Sequence, residues 1–338
     1  MVGQDTLHLA DVNPEYEQLL QAMGGKAPDL GAFPDVYTLR TFIVEAKKNM
    51  TATIGKPEGV EEEDIQVPMR DGAEITVRVY SPEKPPSGGS PLIVMFHGGG
   101  FVLGGLENEE LNCRLFCERL GFVALNVDYR LAPEHVFPTP VNDCWHALKW
   151  AAAHASELNA DPSKGFVVGG ISAGGNMAAV CGHLARDEKL SPPLTGLFLS
   201  IPALLPKEAV PEKYKSKYLS LEQNKNAAIL SEKAIDLFMS NYKPDPASPL
   251  WVPFLWPTGH AHLPPTFFQI CGQDPLRDEG LLFEEILREE CGVKTKLDVY
   301  PGLPHSFWTL FPGMEVSRRC VEDTVRGVGW LLEQVKGR

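Results

Sequence analysis

Short apolar runs and helical stretches alternate along the chain after Pro91. Runs that are apolar at every position indicate strands buried on both faces, as in a parallel sheet with helices on both sides. The predicted strands are Leu92–Phe96, Phe122–Val127, Phe166–Val168, Gly196–Ile201, Thr266–Ile270 and Lys296–Tyr300. The predicted helices are Glu109–Leu120, Val141–Glu157, Ala173–Asp187, Glu279–Glu290 and Val316–Val335. The pattern therefore predicts an α/β fold.

The chain before Pro91 shows two other patterns. Pro14–Met23 and Val36–Ile54 carry apolar residues at helical spacing, so two helices are predicted before any strand. Ile65–Met69 and Ile75–Tyr80 alternate in strand fashion on either side of an Asp-Gly pair, which predicts an antiparallel hairpin. Added to the later strands, this hairpin gives a mostly parallel, eight-stranded sheet.

The segment Leu204–Ser248 interrupts the alternation of strands and helices. It lies between two predicted core strands, is polar and contains one helical stretch, Ser231–Tyr242. An insertion of this length without strands is typical of a lid, so we expect it to form a helical cap together with the N-terminal helices. The expected division is 1–54 for the N-terminal cap helices, 55–203 for the first part of the core, 204–248 for the cap insertion and 249–338 for the second part of the core.

The amino-acid composition excludes some classes of protein, although it does not identify the reaction. The formal net charge of −13, from 31 basic and 44 acidic residues, repels phosphate backbones and anionic lipid, so nucleic acid is an unfavourable partner. No apolar run approaches a membrane span and the N-terminus shows no signal-peptide pattern, so a soluble cytoplasmic protein is expected. Seven cysteines without a C-x-x-C pair indicate buried thiols rather than disulfides or a metal site.

The stretch Gly170-Ile171-Ser172-Ala173-Gly174 places a serine between two glycines, directly after a predicted strand and before a predicted helix. This is the pattern of a nucleophile elbow, a turn so tight that the flanking positions have no room for a side chain. The serine hydroxyl is then expected at a helix N-terminus, where free N–H groups favour developing negative charge. A structural glycine-rich turn is the competing interpretation of this motif alone.

A second glycine-rich motif, H-G-G-G-F at 97–101, follows the first predicted core strand. Consecutive glycines allow the backbone to point two N–H groups at one spot, as an oxyanion hole requires. The expected donors are the amides of Gly99 and Gly100, joined by the amide of Ala173 after the nucleophile. The competing interpretations are a plain glycine turn and a phosphate-binding loop, but no Lys-Ser or Lys-Thr pair follows.

An aspartate and a histidine complete the candidate constellation. Asp274 comes just past a late predicted strand, and His305 comes after the last one in a loop held by proline and glycine. Each residue alone is more often structural, but the chain order Ser172, Asp274, His305 and the placement of each after a strand favour a catalytic triad. Asp278 and Glu279 are assigned instead to the start of the next helix, where carboxylates are favoured.

Together these motifs resemble the hormone-sensitive-lipase-like branch of the α/β-hydrolases, made up of carboxylesterases and lipases. The resemblance rests on H-G-G-G-F at 97–101, D-Y-R-L-A-P-E-H at 128–135, S-A-G-G-N at 172–176, D-P-L-R-D-E at 274–279 and the loop of His305. It implies an α/β-hydrolase fold with a helical cap, and a bracing role for residues 128–137 against the glycine motif. Members of the branch generally carry Asp or Thr before the nucleophile, where this chain has Ile171, and this departure leaves the substrate preference open.

The predicted function is that of a serine carboxylesterase that acts on uncharged esters of short to medium acyl length, without metal or organic cofactor. The acyl ester of a bulky secondary metabolite is an equally suitable substrate. The candidate pocket residues are apolar or aromatic side chains near the motifs and the cap: Phe101, Val102, Leu103, Tyr214, Tyr218, Trp251, Phe254, Trp256 and Trp308.

Alternatives on the same fold stay open at this point. The plant gibberellin receptors look like this family and bind a small acid after losing the catalytic histidine, whereas His305 is present here. An amidase or lactonase would use the same triad. A homodimer formed through the edge strand Lys296–Tyr300 and the final helix is also considered.

Overall fold

The computed structural model describes residues 3–50 and 58–336, and its strands form one sheet with the order β1-β2-β4-β3-β5-β6-β7-β8. The strands are β1 (Val60–Pro68), β2 (Glu74–Pro82), β3 (Leu92–Phe96), β4 (Val123–Val127), β5 (Phe166–Ile171), β6 (Gly196–Ser200), β7 (Thr266–Gln273) and β8 (Thr295–Pro304). Only the pairs β1/β2 and β2/β4 of this sheet are antiparallel. The eight-stranded, mostly parallel sheet predicted from the sequence is therefore confirmed.

Helices occupy the intervals between the strands. They are α1 (Pro14–Ala22), α2 (Val36–Met50), α3 (Glu110–Leu120), α4 (Thr139–Ala153), α5 (Ala173–Asp187), α6 (Ser220–Gln223), α7 (Glu232–Tyr242), α8 (Arg277–Glu285), α9 (Phe307–Leu310) and α10 (Glu315–Lys336). A π-helical turn, Ile286–Glu290, continues α8. Short 3-10 helices cover Gln4–Ala10, Leu30–Ala32, Leu106–Asn108, Pro162–Lys164, Lys207–Ala209, Glu212–Lys217 and Pro253–Leu255.

The central strands bury both of their faces against helices. On one face, Val94 of β3 belongs to the same buried cluster as Met177 of α5. On the other face, Met95 packs in a second cluster with Phe116 of α3 and Val328 of α10. Consecutive side chains of a strand point to opposite faces, so every position of β3 must be apolar. This explains the uninterrupted apolar runs in the sequence.

Several strands extend beyond their predicted ends, and β1 and β5 show the physical reasons. β1 begins at Val60 instead of Ile65, because the acidic residues 61–64 lie on an edge strand that faces solvent, where charge hides the alternating pattern. β5 runs past Val168 through two glycines to Ile171, since β3 and β6 supply backbone partners on both sides. Neighbouring strands, rather than local side chains, thus determine where these strands begin and end.

The helix boundaries differ from prediction by a few residues. α4 spans Thr139–Ala153, whereas Val141–Glu157 was the predicted span. The predicted helix Val36–Ile54 is observed to Met50, and its last four residues lie outside the described part of the chain.

The N-terminal segment (residues 3–50) and the insertion (residues 204–248) are linked by backbone pairing. Leu30 N donates to Ile229 O at 3.1 Å, and Ile229 N donates to Pro28 O at 2.6 Å. The Ser231 hydroxyl donates to the Asp29 carboxylate at 2.7 Å, next to this pairing. The two segments are thus joined although about two hundred residues separate them in sequence.

Buried carboxylates at the start of α8 hold the insertion against the core. Asp278 Oδ2 accepts hydrogen bonds from the amides of Leu219 (2.8 Å) and Ser220 (2.7 Å). Asp278 Oδ1 accepts from Arg277 Nε at 2.8 Å, and both of these side chains are fully buried. Asp278 and Glu279 do lie in the first turn of a helix, as predicted, but the Asp278 carboxylate has amide partners in the insertion rather than in its own helix.

Within the described residues, no helix has the length and the apolar character that crossing a membrane requires. In the same part of the chain, no three His, Cys, Asp or Glu side chains are grouped as a metal site would need.

We expect the substitution Asp278→Asn to lower the free energy of unfolding by about 3–5 kcal/mol, because it leaves the buried Arg277 charge without its partner. The matched control is Asp64→Asn, which breaks an Arg–Asp pair with Arg78 whose side chains are 27% and 44% exposed. That exposed pair is expected to contribute less than about 1 kcal/mol. Urea unfolding of both variants is the measurement, and equal losses would contradict the anchoring role of Asp278.

Candidate active site

Ser172 occupies the turn between β5 and α5 in a backbone conformation that is rare for a residue with a side chain. Its φ is 57° and its ψ is −114°. The strain is held by hydrogen bonds on both sides, because Ser172 N donates to Ser200 O at 2.8 Å and Ser172 O accepts from Asn176 N at 3.0 Å. The turn has the geometry of a nucleophile elbow, and the serine lies at the N-terminal end of α5.

The two glycines that flank the elbow are required by close backbone approach. A Cβ built on Gly174 would lie 1.9 Å from Phe96 O, and one built on Gly170 would lie 2.3 Å from Gly174 C. These obstructing atoms belong to the backbone and cannot rotate away. The structure therefore agrees with the steric reason given for the G-x-S-x-G pattern.

The structure brings Ser172, Asp274 and His305 together at the carboxyl ends of β5, β7 and β8. His305 Nε2 lies 2.9 Å from Ser172 Oγ, and His305 Nδ1 lies 2.7 Å from Asp274 Oδ2. Asp274 is 1% exposed and His305 is 6% exposed. One ring nitrogen of His305 thus faces the carboxylate and the other faces the serine hydroxyl.

The turn that carries Asp274 is fixed by local and distant bonds. Asp274 Oδ1 accepts from Leu276 N at 2.9 Å, while Asn224 of the insertion donates to Asp274 O at 3.1 Å and to Gly272 O at 3.4 Å. Asn224 is a buried polar residue that sequence reasoning missed, since nothing in its neighbours signals a partner fifty residues away. Asn224 thus links the position of Asp274 to that of the insertion.

The glycine motif at 97–101 forms a loop beside the elbow. Gly99 has φ +124° and Gly100 has φ +60°, conformations that favour glycine, and a Cβ on Gly98 would contact Ser172 Cβ at 3.5 Å. The amides of Gly99 and Gly100 donate no hydrogen bond to any described residue. The Ala173 amide opens α5 and has no carbonyl partner in its own helix. Three backbone donors are thus available next to the serine.

The run 128–137 lies against this loop. The Tyr129 hydroxyl donates to His97 O at 2.8 Å, and the two rings stack with centroids 4.1 Å apart. Ala132 N donates to Phe101 O at 3.0 Å. These bonds fix both ends of the glycine motif.

A cavity of about 1510 Å³ opens above Ser172 and His305. Its apolar lining comes from the core, the N-terminal segment and the insertion. Among the residues that line it are Leu30, Phe33, Phe42, Ile43, Ile171, Leu204, Leu205, Leu221, Ile229, Leu230, Ile235, Phe238 and Met239. The space exceeds what a short acyl chain fills and is larger than the roughly 300–1,000 Å³ of pockets that hold drug-sized ligands.

The structure divides the predicted pocket residues into two groups. Those that line the cavity are Phe101, Leu103, Tyr218, Trp251 and Trp308. Those that do not line it are Val102, Tyr214, Phe254 and Trp256. The side chains of the second group pack elsewhere in the fold.

The excluded side chains are parts of the core. Tyr214 packs edge-on against Phe254 with ring centroids 5.5 Å apart, and Phe254 contacts Phe283 of α8. Trp256 donates to the Asp187 carboxylate at 2.8 Å. Val102 is fully buried in the main apolar cluster. Nearness to a motif along the chain does not indicate where a side chain points.

Glu279 is a cavity-lining residue that sequence reasoning assigned only to a helix start. Its carboxylate accepts from the amides of Leu204 (3.1 Å) and Leu205 (2.9 Å), and the Tyr218 hydroxyl lies 3.3 Å away. Burial raises the pKa of the Glu279 carboxyl well above its usual range, although the two amides oppose this rise. The side chain thus fixes the first residues of the insertion to the cavity wall.

Comparison with known proteins places this chain in a family. A family model described as the alpha/beta hydrolase fold matches residues 93–309. The versiconal hemiacetal acetate esterase of Dothistroma septosporum is 38% identical over 93% of both chains. The carboxylesterase NlhH of Mycobacterium tuberculosis is 33% identical over 90% of this chain and 91% of its own. A crystal structure of a vibralactone cyclase has a TM-score of 0.88 and 37% identity, and covers 97% of each chain.

The chain belongs to the α/β-hydrolase family, in its hormone-sensitive-lipase-like branch. It is a carboxylic ester hydrolase, as its curated esterase relatives indicate.

We expect Gly174→Ala to lower the free energy of unfolding by about 3 kcal/mol, since the new methyl group would overlap the carbonyl of Phe96. Gly313→Ala is the control, because a Cβ there meets no atom within 4 Å. That variant should differ from wild type by less than about 1 kcal/mol. Thermal and urea unfolding measure both, and a Gly174→Ala protein of wild-type stability would refute the close approach at the elbow.

Proposed function

We propose that the protein is a serine esterase in which Ser172 is the nucleophile, His305 the general base and Asp274 the residue that orients the imidazole. The observation that carries the proposal is the continuous line of hydrogen-bonding atoms, 2.9 Å from Ser172 Oγ to His305 Nε2 and 2.7 Å from Nδ1 to Asp274 Oδ2. Nucleophile, base and orienting acid are all within hydrogen-bond reach, as covalent catalysis requires.

In the proposed reaction the Ser172 oxygen attacks the ester carbonyl while His305 Nε2 accepts the hydroxyl proton. The resulting tetrahedral oxyanion accepts hydrogen bonds from the amides of Gly99, Gly100 and Ala173. His305 then donates its proton to the leaving alcohol, and an acyl-serine remains. Water repeats the sequence with His305 as base, which releases the acid and restores the serine.

The N-terminal segment and the insertion are proposed to act as one cap that selects the substrate. Both line the cavity above Ser172, and the pairing of Leu30 with Ile229 joins them. Their contribution to the lining is largely apolar, which favours an uncharged ester with a sizeable apolar alcohol portion. An acetate or another short acyl ester of a bulky metabolite fits this description, and the name of one relative refers to such an acetate.

Two kinds of alternative to ester hydrolysis are a non-catalytic receptor and an enzyme that catalyses another acyl-transfer reaction. Each could bind a carbonyl compound in this cavity, and they differ in what happens after binding. His305 in place beside Ser172 supports an enzyme over a non-catalytic receptor. Lactone opening, amide cleavage and internal cyclisation proceed through the same acyl-serine, and they differ in the leaving group or in the nucleophile that releases the acyl group. Analysis of whether the product is a free acid or a lactone separates internal cyclisation from hydrolysis.

A homodimer stays a proposal. β8 is an edge strand of the sheet, and Thr295–Val299 within it are only half-buried. Sedimentation analysis at several concentrations measures the assembly state.

The substitutions Ser172→Ala and His305→Ala are expected to lower kcat for p-nitrophenyl butyrate by about 10⁴-fold or more, because each removes a member of the triad. Thermal unfolding should show that both variants remain folded. Turnover within tenfold of wild type in either variant would contradict the proposed roles.

An acetate series with alcohols of increasing apolar size tests the substrate class. The value of kcat/KM should rise about fourfold for each added CH₂ that the cavity buries, from about 0.8 kcal/mol of transfer free energy. The acetate of a quaternary ammonium alcohol of similar volume serves as the control and should react more slowly. A flat or falling series among the uncharged alcohols would exclude an apolar alcohol site.

A further inference from the structure

The loop that carries the Gly99 and Gly100 amides needs support from outside itself. Three consecutive glycines leave the backbone more freedom than any other sequence, and two of them adopt positive φ angles. Transition-state stabilisation requires the amides to be placed within about half an ångström of their working positions. The contacts that restrain the loop therefore influence the reaction directly.

Arg40 of α2 supplies such contacts from the N-terminal segment. Its Nε donates to Val102 O at 2.7 Å, and its Nη2 donates to Ala132 O at 2.6 Å. Val102 is the third residue after Gly99 and donates its own amide to Gly99 O at 3.1 Å. One guanidinium group thus connects the turn that begins at Gly99 to the neighbouring run 128–137.

These bonds complete a closed ring of contacts. Ala132 N donates to Phe101 O, while Ala132 O and Val102 O both accept from Arg40. The fixed fork of a guanidinium group sets the distance between the two carbonyl oxygens, which a flexible ammonium group would not do.

A separate ion pair joins the guanidinium group to Glu134 on its more exposed side. Glu134 accepts from Arg40 Nη1 at 2.7 Å and from Nη2 at 3.0 Å. The Glu134 side chain is 45% exposed, whereas Arg40 is 24% exposed. The ion pair is therefore the more solvated part of the arrangement, and it can be removed without touching the bonds to the loop.

The insertion contacts the same loop independently. A Cβ built on Gly100 would lie 2.2 Å from the ring of Phe238, so this ring of α7 fills the space beside the glycine. Arg40 of the N-terminal segment and Phe238 of the insertion thus both contact the loop that carries Gly99 and Gly100.

We infer that Arg40 is a positioning residue for the oxyanion loop, so that the N-terminal segment contributes to transition-state stabilisation in addition to lining the cavity. The inference rests on the proposed function, because it requires the Gly99 and Gly100 amides to hold the oxyanion. An oxyanion forms only during the reaction, so displaced amides lower kcat while KM changes little.

The test compares Arg40→Gln, Arg40→Lys and Glu134→Gln in the full-length protein. Arg40→Gln should lower kcat by about ten- to a hundredfold with KM within about twofold of wild type, since a misplacement of about 1 Å costs up to that factor. Arg40→Lys keeps the charge and loses the fork, so an intermediate kcat is expected. Glu134→Gln removes the ion pair and keeps both carbonyl bonds, so its kcat should stay within about twofold of wild type.

Inhibition by phenylboronic acid separates positioning from folding. This compound forms a tetrahedral adduct with a reactive serine, so its Ki should rise in Arg40→Gln by the same factor as kcat falls. A wild-type kcat and Ki in Arg40→Gln, with Ser172→Ala inactive, would overturn the role of Arg40 and leave the proposed function standing. An equal loss in Glu134→Gln would also overturn it, whereas turnover that survives Ser172→Ala would overturn the proposed function itself.

Discussion

The near contact between the elbow and the end of β3 is the constraint on which the rest of the site depends. α5 begins so close to Phe96 that only glycine fits at Gly174. Since β3 leads directly into the glycine motif, the same contact brings Ser172 beside the loop that offers free amides. Backbone packing therefore places Ser172 beside the glycine motif, and the Arg40 hydrogen bonds restrain the loop that follows this motif.

A single stretch of chain joins Asp274, the acid of the proposed triad, to the insertion. Asp274 bonds to His305, while four and five residues later Asp278 and Glu279 bind backbone amides of the insertion. In return, Asn224 of the insertion donates to the carbonyl of Asp274. These bonds restrain Asp274 and the insertion together. A displacement of the insertion would therefore also displace Asp274 and the His305 imidazole bonded to it.

The sequence predicted the sheet and the elbow from local features, and it predicted the three side chains at the edge of the sheet from their chain order and their placement after strands. Apolar runs identify buried strands, and close packing at the elbow demands glycine. The carboxyl end of β5 was not predictable in this way, since Gly169 and Gly170 join the strand only through their neighbours in β3 and β6.

The direction in which a side chain points, and its partners far along the chain, could not be predicted from the sequence either. Tyr214 and Phe254 resemble pocket residues by type, yet they face each other in the core. Arg40 and Asn224 donate hydrogen bonds to backbone carbonyls far along the chain. Every residue has a backbone carbonyl, so the sequence pattern does not show which one accepts the bond. Such bonds become visible only when the fold brings the segments together.

Covalent labelling tests the central claim that His305 makes Ser172 nucleophilic at this edge of the sheet. The full-length protein is treated with diethyl p-nitrophenyl phosphate, and the modified peptide is identified by mass spectrometry. The account predicts a phosphoryl group on Ser172 of the wild type, with labelling at least about a hundredfold slower in His305→Gln. Modification at another residue, or an equal labelling rate in the variant, would contradict it.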